Sequence, residues 1–334
     1  MISFTRANPG NESTLGHLRQ LCWAATYRGI YPDEMIDQFD YAWHAERDLA
    51  RITSPQFEVF LITEAASPIG YMTIRHGTPP LLYSLYLLPS HQHRGIGRIA
   101  FERMRDFCIT NAHGCFLCLC QPENTNAMAF YRHMGGVIIA RDEGNEEAFM
   151  NSVTFHFTLS KGVPMHRIAY LTDADVLGTP GLSAAKPRLT ARAVVVNPRG
   201  MIAVMYAAKY GIHTLPGGGV EEGETIEEAL VREITEETGC TITAFEPLGY
   251  VEENRFHADY TQISYYYIVH AQDDTLHPHL TALEAANGTS AMWCTPEEAS
   301  ERIAEPEFER PQGKFLQARD VAALEAYFAR KESP

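Results

Sequence analysis

The sequence predicts a two-domain protein of the α/β (α+β) class, and three observations carry that expectation. At 334 residues the chain exceeds the usual size of one compact core, so two domains of about 150 residues each follow. Strand-like runs alternate with segments of helical period through both halves. Lys161 and every other lysine lie after residue 160, a compositional break that places the domains at 1–160 and 161–334.

Hydrophobic residues make up 45% and charged residues 21%, ordinary globular usage that argues against disorder. No apolar run approaches the roughly 20 residues a membrane helix needs, and MISFTRANPGNEST lacks the basic-then-apolar layout of a secretory signal. The expectation is a soluble cytoplasmic protein with no membrane partner. With 27 basic against 42 acidic residues the formal charge is −15, and the basic residues are spread along the chain, which disfavours nucleic acid as a partner. Small anionic ligands stay open, because backbone amides and metal ions hold them without net positive charge. The sequence leaves the oligomeric state open.

Seven cysteines, an odd number without a signal segment, do not suggest a disulfide framework. Cys115, Cys118 and Cys120 in CFLCLC have either the length of a buried strand or the start of a metal site. No second Cys/His pair stands at a matching spacing, so the strand is preferred.

Along the first domain, Ile2–Arg6 reads as a strand and Leu15–Tyr27 as a helix, with a further helix able to begin at Pro32. Glu58–Thr63, Ile69–Arg75 and Leu81–Leu88 read as strands separated by Ser67-Pro68 and by Gly77–Pro80. Gly97–Asn111 then carries Ile99, Ala100, Met104, Phe107 and Cys108 at helical spacing, with Gly114 as a stop. Beyond 160, Val163–Leu171 can form a strand, while Gly178–Pro187 is rich in Gly, Pro, Ser and Ala and reads as a linker or loop, about 172–188 overall. Arg192–Val196, a turn at Asn197–Gly200 and Met201–Ala207 suggest a hairpin.

The most informative stretch is Leu215–Cys240, LPGGGVEEGETIEEALVREITEETGC. Thr225 and Glu228 form a capping-box pattern and Gly239 a stop, so a helix is expected over Ile226–Thr238. At 3.6 residues per turn, Ile226, Ala229, Leu230 and Ile234 share a side with Glu233, Glu236 and Glu237, whereas Glu227, Glu228, Arg232 and Thr235 point elsewhere. An acidic helix is ordinarily a solvated face. Three carboxylates turned toward a core repel one another, by about 4 kcal/mol per close pair at an effective dielectric near 20, so a cation belongs among them. Hard oxygen ligands suit Mg²⁺ or Mn²⁺.

This segment resembles the Nudix signature, G-x5-E-x7-R-E-U-x-E-E-x-G-U, at Gly218, Glu224, Arg232, Glu233, Ile234, Glu236, Glu237 and Gly239; Cys240 replaces the last aliphatic residue. The resemblance implies an α/β/α sandwich and hydrolysis of a nucleoside diphosphate linked to another group, a nucleoside triphosphate by default. By the same resemblance Glu233, Glu236 and Glu237 hold the metal, with Glu284 a candidate for a further ligand. Gly217, Gly218 and Gly219 admit the substrate phosphates, and Arg232 orients a metal-site glutamate. The base is either Glu233 or a downstream acid, for which Glu284, before a strand at Ala291–Cys294, is a candidate as well as an exposed loop glutamate. Tyrosines in Tyr260–Val269 either stack a base or follow strand alternation.

In the first domain, LYLLPSHQHRGIG (Leu85–Gly97) joins a strand to a helix N-terminus, a junction that aims free amides at an anion. NTNAMAFYRHMGG (Asn124–Gly136) reads as a short helix whose Phe130 packs in the core. Gln92, Gly95 and Gly97, with Asn124, Ala127, Phe130 and Tyr131, resemble the two motifs of Gcn5-related N-acetyltransferases, the GNAT family. The resemblance implies a mixed, mostly antiparallel sheet flanked by helices, and acetyl-CoA as cofactor. It implies cofactor contacts from Leu87, Gln92, Arg94, Gly95, Ile96, Gly97, Arg98 and Asn124, with Tyr131 protonating the departing thiolate. The acceptor would be a small amine, and Thr26–Met35 is similar to a stretch in members that acetylate polyamines or other small amines. Gly136 departs from the family's phenylalanine, and Leu81–Leu88 contains no carboxylate, leaving Tyr83, Ser84 and His91 as stand-ins for a base. The expected whole is a bifunctional fusion; the alternatives are a single hydrolase with a CoA-binding sensor or scaffold attached, or a nucleotide-sensing regulator.

Overall fold

The computed structural model describes residues 2–143, 150–159, 165–304 and 308–332. The chain forms two compact units, Met1–Leu159 and Ser160–Pro334. The boundary expected between residues 160 and 161, and the start of the strand expected from Val163, lie outside the described residues.

The first unit runs β1 (Ile2–Arg6), α1 (Glu12–Tyr27), α2 (Asp33–Asp37), α3 (Tyr41–Thr53), β2 (Phe57–Glu64), β3 (Ser67–Arg75), β4 (Leu81–Leu87), α4 (Ile96–Thr110), β5 (Cys115–Cys120), α5 (Thr125–His133), β6 (Val137–Asp142) and β7 (Ser152–Thr158). Its sheet has the order β1-β2-β3-β4-β5-β7-β6. Side chains alternate across it: Phe60, Ile62, Met72 and Ile74 pack with Ala100, Phe101 and Met104 of α4. Val59, Leu61 and Tyr71 pack with Leu15 and Leu18 of α1 on the opposite face. The cysteine run is the interior strand β5, with Cys118 and Cys120 in the core.

β4 and β5 are the parallel pair, matched only at Leu81↔Leu117 and Leu82↔Cys118. Past Leu82 the ladder stops, so the rest of β4 turns an open backbone edge toward β5. A wedge opens there in the middle of the sheet.

Arg19 of α1 binds Asp48 of α3 at 2.5 Å, and Arg51 reaches the same oxygen at 2.9 Å. Beside them His44 is buried, stacked on Phe39 and edge-on to Trp23. Burial, reinforced by Arg19, lowers its pKa to about 4. The unfolded chain then binds the proton more readily, so this contribution to stability is complete above about pH 6.5 and is lost as pH falls toward 4. A His44→Phe variant should show a smaller drop in melting temperature between pH 7 and pH 5 than the parent; an identical drop would remove His44 from the account.

The second unit runs β8 (Arg167–Thr172), α6 (Asp173–Leu177), β9 (Arg188–Val196), β10 (Ile202–Ala207), β11 (Ile212–Thr214), β12 (Gly217–Gly219), α7 (Ile226–Thr238), β13 (Ile242–Arg255), β14 (Tyr260–Ala271), α8 (Ala282–Ala286), β15 (Thr289–Cys294), α9 (Pro296–Ala304) and α10 (Pro311–Glu332). The main path of the sheet is β11-β10-β9-β14-β13-β8, with β12 on β9 and β15 on β10. Tyr266 and Ile268 of β14 face α9 and α10, while Tyr267 between them reaches Glu227 of α7 at 3.2 Å. Helices therefore cover both faces, a sandwich of three layers. Among the described residues no helix is long and apolar enough to cross a membrane.

The hairpin expected over 192–207 is reduced to one pair, Ile202↔Val196. Asn197 Oδ1 fixes the turn by accepting from Arg199 N and Met201 N at 3.0 and 2.9 Å, but beyond it β12 takes the same edge of β9, pairing Gly217–Gly219 with Arg192–Thr190. β10 instead pairs with β15 over six positions, and β9 runs parallel to β14 over nine. The stretch read as linker or loop opens with α6, and its later part lies along the end of β13. Ser183 and Asn254 exchange bonds of 2.7 and 3.0 Å there, and Phe256 fills the space a Cβ on Gly181 would need.

Candidate active sites

The second unit's site is assembled from β12 and α7. Thr225 caps α7 by a reciprocal box with Glu228, and Gly239 ends it at φ +68°. Helix bounds and caps match the sequence expectation, so Glu233, Glu236 and Glu237 emerge on one side beneath the glycine strand. Gly217 has φ +131°, and a Cβ there would stand 2.3 Å from Ala191 O. A Cβ on Gly218 would stand 2.4 Å from the Glu233 carboxylate. Both positions need glycine, the first for backbone conformation and the second for room.

The carboxylates have separate partners. Glu237 accepts from Gly217 N at 2.6 Å, and Glu233 accepts from Arg232 Nη1 at 2.8 Å. Glu236 is half exposed and meets Arg232 only at 3.4 Å. Among the described residues, no three His, Cys, Asp or Glu side chains converge as a ready metal cage. Burial pushes Glu237 up to about 8, opposed by the Gly217 amide and Arg192, and burial also raises Glu233 against the pull of Arg232.

Arg232 corrects the helical-wheel expectation. It stands one turn before Glu236, at the edge of the carboxylate face, and its side chain reaches along that face. It binds Glu224 through both nitrogens at 3.0 Å, Glu233 at 2.8 Å and Gly219 O at 2.9 Å. That places it between helix and glycine strand, and Glu224 is held below the usual carboxylate range by this contact.

Glu284 stands in α8 rather than in a loop, and one of its oxygens caps its own helix, accepting from Thr281 N and Oγ1 at 2.7 Å each. It is near enough to Glu237 to raise that carboxyl. Tyr265 and Tyr267 follow strand alternation, Tyr265 against Tyr250 and Tyr267 against Phe245. Cys240 is buried and accepts from Thr238 Oγ1 at 3.0 Å, filling the place of the aliphatic residue.

Three residues were missed by the sequence reading. Asp320, fully buried on α10, accepts from Leu215 N at 2.9 Å, from the Tyr266 hydroxyl and from Arg319 Nε at 2.9 Å, so α10 fixes the start of the glycine strand. Arg192 donates to Leu215 O at 3.1 Å from the other side. Only helical phase over 311–332 could have flagged Arg319 and Asp320, as charges on an apolar stripe.

In the first unit the corresponding junction runs from β4 to α4. Gln92 Nε2 donates to Leu87 O at 3.0 Å, Gly95 takes φ +77°, and the first intrahelical bond is Ile99 N to Gly95 O at 3.2 Å. The amides of Ile96, Gly97 and Arg98 therefore belong to the first turn, which has no intrahelical acceptors. Gly97 lies against the Phe130 ring. Arg94 is bound to Glu64 by two contacts of 3.0 and 2.7 Å, which commits the side chain there. Asn124 caps α5 by accepting from Ala127 N at 3.1 Å.

Tyr131 is buried beside the wedge between β4 and β5, bonded to Cys118, and its hydroxyl pKa is raised well above the usual range, chiefly by burial. It stays protonated throughout the physiological range. Where a side chain on Gly136 would stand, Phe157 and Phe155 already fill the space at 2.6 and 2.9 Å. Of the stand-ins for a base, Tyr83 is exposed and bonded to Arg51, and His91 lies between Ser90 and Glu64.

Comparison with known proteins places a NUDIX domain at residues 186–318 and a domain of the acetyltransferase (GNAT) family at 17–135. An RNA pyrophosphohydrolase of Vibrio atlanticus (strain LGP32) is 45% identical over 56 residues, 16% of this chain and 31% of that protein. A MutT-like protein of Streptomyces ambofaciens is 34% identical over 112 residues, 34% of this chain and 66% of that protein. The chain thus spans about a third of the first relative's length. Among solved structures, the PaiA N-acetyltransferase of Thermoplasma acidophilum in complex with coenzyme A is 18% identical, with a TM-score of 0.42, covering 47% of this chain and 99% of that one.

Proposed function

Because the chain joins a GNAT acetyltransferase domain to a Nudix domain, we propose that it is a bifunctional enzyme. The second unit would hydrolyse a nucleoside diphosphate linked to X, by default a nucleoside triphosphate, with Mg²⁺ or Mn²⁺. The first would acetylate a small amine from acetyl-CoA.

One observation carries the hydrolase reading: three carboxylates, Glu224, Glu233 and Glu236, gather around the single guanidinium of Arg232 beneath a strand of three glycines, and a fourth, Glu237, is held on the Gly217 amide of that strand. The residual negative charge and hard oxygen donors fit a divalent cation held by Glu233, Glu236 and Glu237. When bound, such a cation supplies an acidified water and neutralises charge on the leaving phosphate. The chain's own part is positioning. Arg232 fixes Glu233 and the Gly219 carbonyl, Glu224 fixes Arg232, and Gly217–Gly219 let backbone lie against phosphate oxygens. Glu233 is the nearer candidate for the base; Glu284, occupied with its cap, is the second. A panel of nucleoside diphosphate compounds tests the reading by Mg²⁺-dependent release of phosphate or pyrophosphate, and no release from any of them would refute it.

For the first unit, Ile96, Gly97 and Arg98 amides at the positive end of α4 suit a pyrophosphate, and the open edge of β4 at Leu87 suits an amide-bearing arm. The amine nitrogen attacks the thioester carbonyl, a C–N bond forms and the C–S bond breaks. Tyr131 gives its hydroxyl proton to sulfur and is restored by the proton the nitrogen loses. Acetyl-CoA should therefore raise the melting temperature of the full chain. Tyr131→Phe should keep that shift while slowing transfer about a hundredfold or more; an unslowed variant would remove Tyr131 from the chemistry.

A further inference from the structure

We infer that Arg188 sets the substrate class of the second unit, by holding a terminal phosphate on the side of the glycine strand away from the α7 carboxylates. The class it selects is the nucleoside triphosphates, over diphosphates joined to a sugar or to a second nucleoside. This rests on the hydrolase reading above and names the substrate class for that site.

Successive glycines of β12 face opposite ways. A Cβ on Gly218 would meet the Glu233 carboxylate at 2.4 Å, whereas one on Gly219 would meet Arg188 Nη2 at 2.7 Å. Gly218 pairs with Ala191 and Gly219 with Thr190, neighbours that turn to opposite faces of β9. The strand is therefore a thin backbone wall, with carboxylates on the α7 side and a guanidinium on the other.

Two guanidiniums thus meet at Gly219, and they differ in what they have left to offer. Arg232 binds the Gly219 carbonyl and is matched by Glu224, Glu233 and Glu236. Arg188 is exposed, and among the described residues its side chain makes no hydrogen bond or ion pair. The segment it springs from supplies no acid to take it up. Residues 176–220 contain Lys186, Arg188, Arg192, Arg199 and Lys209 and no aspartate or glutamate, in a chain whose formal charge is −15. Arg199 is bound to Asp274, Lys209 to Asn287 and Arg192 to the Leu215 carbonyl. Arg188 keeps its charge uncommitted against the backbone of the site.

Charge then separates the two substrate classes. In a diphosphate joined at both ends each phosphate carries one negative charge, and a divalent cation on the α7 carboxylates offsets the pair. A terminal phosphate adds about −1.5 to −2 at neutral pH. On the carboxylate side Arg232 is already occupied by three glutamates, so that extra charge is met from across the wall. The chain of phosphates crosses the strand at Gly219, where no Cβ stands in the way, and the planar fork of Arg188 fits the last phosphate by two bonds.

The test compares Mg²⁺-dependent hydrolysis of ATP and GTP with that of ADP-ribose and diadenosine diphosphate by the full chain. The triphosphates should have kcat/KM about tenfold higher or more. Arg188→Ala should lose most of that preference through KM, and Arg188→Lys, which keeps the charge without the fork, should retain part of it. Both variants should bind Mn²⁺ as the parent does. Equal or better turnover of the two-phosphate compounds by the parent overturns the assignment, as does an Arg188→Ala variant that keeps the preference or loses it together with Mn²⁺ binding. No Mg²⁺-dependent release from any of these compounds brings down the hydrolase reading itself, and this assignment with it.

Discussion

Glu237→Gln slows hydrolysis by the second unit a few hundredfold, a loss of about 3–4 kcal/mol of transition-state stabilisation. The amide keeps the volume and can still accept from Gly217 N, now 2.6 Å from the carboxylate, so the glycine strand stays in place. What changes is the negative charge that the ionised carboxylate would offer to a bound cation. Cation affinity should fall together with turnover. Metal-free stability should not fall, because the enclosed carboxyl already prefers its neutral form up to about pH 8 and the amide is neutral at every pH. Acetyl-CoA binding should be unchanged, since its proposed contacts all lie before residue 135. Enzyme assays, a Mg²⁺ titration and thermal melts of parent and variant check the three parts separately.

Asp320→Ala has the largest expected effect on stability. Arg319 and Asp320 are both fully buried, and the carboxylate also serves Leu215 N and Tyr266. Removing it strands a guanidinium in the core, which costs about 3–5 kcal/mol. For a unit of this size that is a fall of about 2–4 °C in melting temperature for each kcal/mol. Hydrolysis should weaken as well, since Leu215, two residues before the glycine strand, loses its anchor. Asp320→Asn, which keeps an acceptor and a neutral side chain, should recover part of both losses. Thermal melts with equal transitions for parent and Asp320→Ala would show that the pair does not hold the unit together.

How much of this was legible in sequence depends on how local its cause is. The bounds of α7 were readable to the residue because Thr225, Glu228 and Gly239 act within one turn. The wedge strand β4 and helix α4 were readable for the same reason, from turn residues and spacing. Glu284 was misplaced although Thr281 and Glu284 spell the same capping box as Thr225 and Glu228; the pattern was applied once and not twice. Arg232 was placed off the carboxylate side although it precedes Glu236 by one turn, a spacing that puts both side chains on the same face; the wheel was misread. The 192–207 hairpin was over-read because local alternation cannot show that the edge of β9 facing β10 is taken at Thr190–Arg192 by the glycine strand β12. Asp320 beneath Leu215 depends on a contact across more than a hundred residues, which no window on the chain contains.

The central claim is that the α7 carboxylates bind a divalent cation, and Mn²⁺ binding followed by electron paramagnetic resonance tests it most directly. Titrating the full chain and a variant carrying Glu233→Gln, Glu236→Gln and Glu237→Gln together should show bound Mn²⁺ in the first, displaced by excess Mg²⁺, and none at the same concentrations in the second. Equal binding by a folded triple variant, or no binding by the parent, would contradict the account.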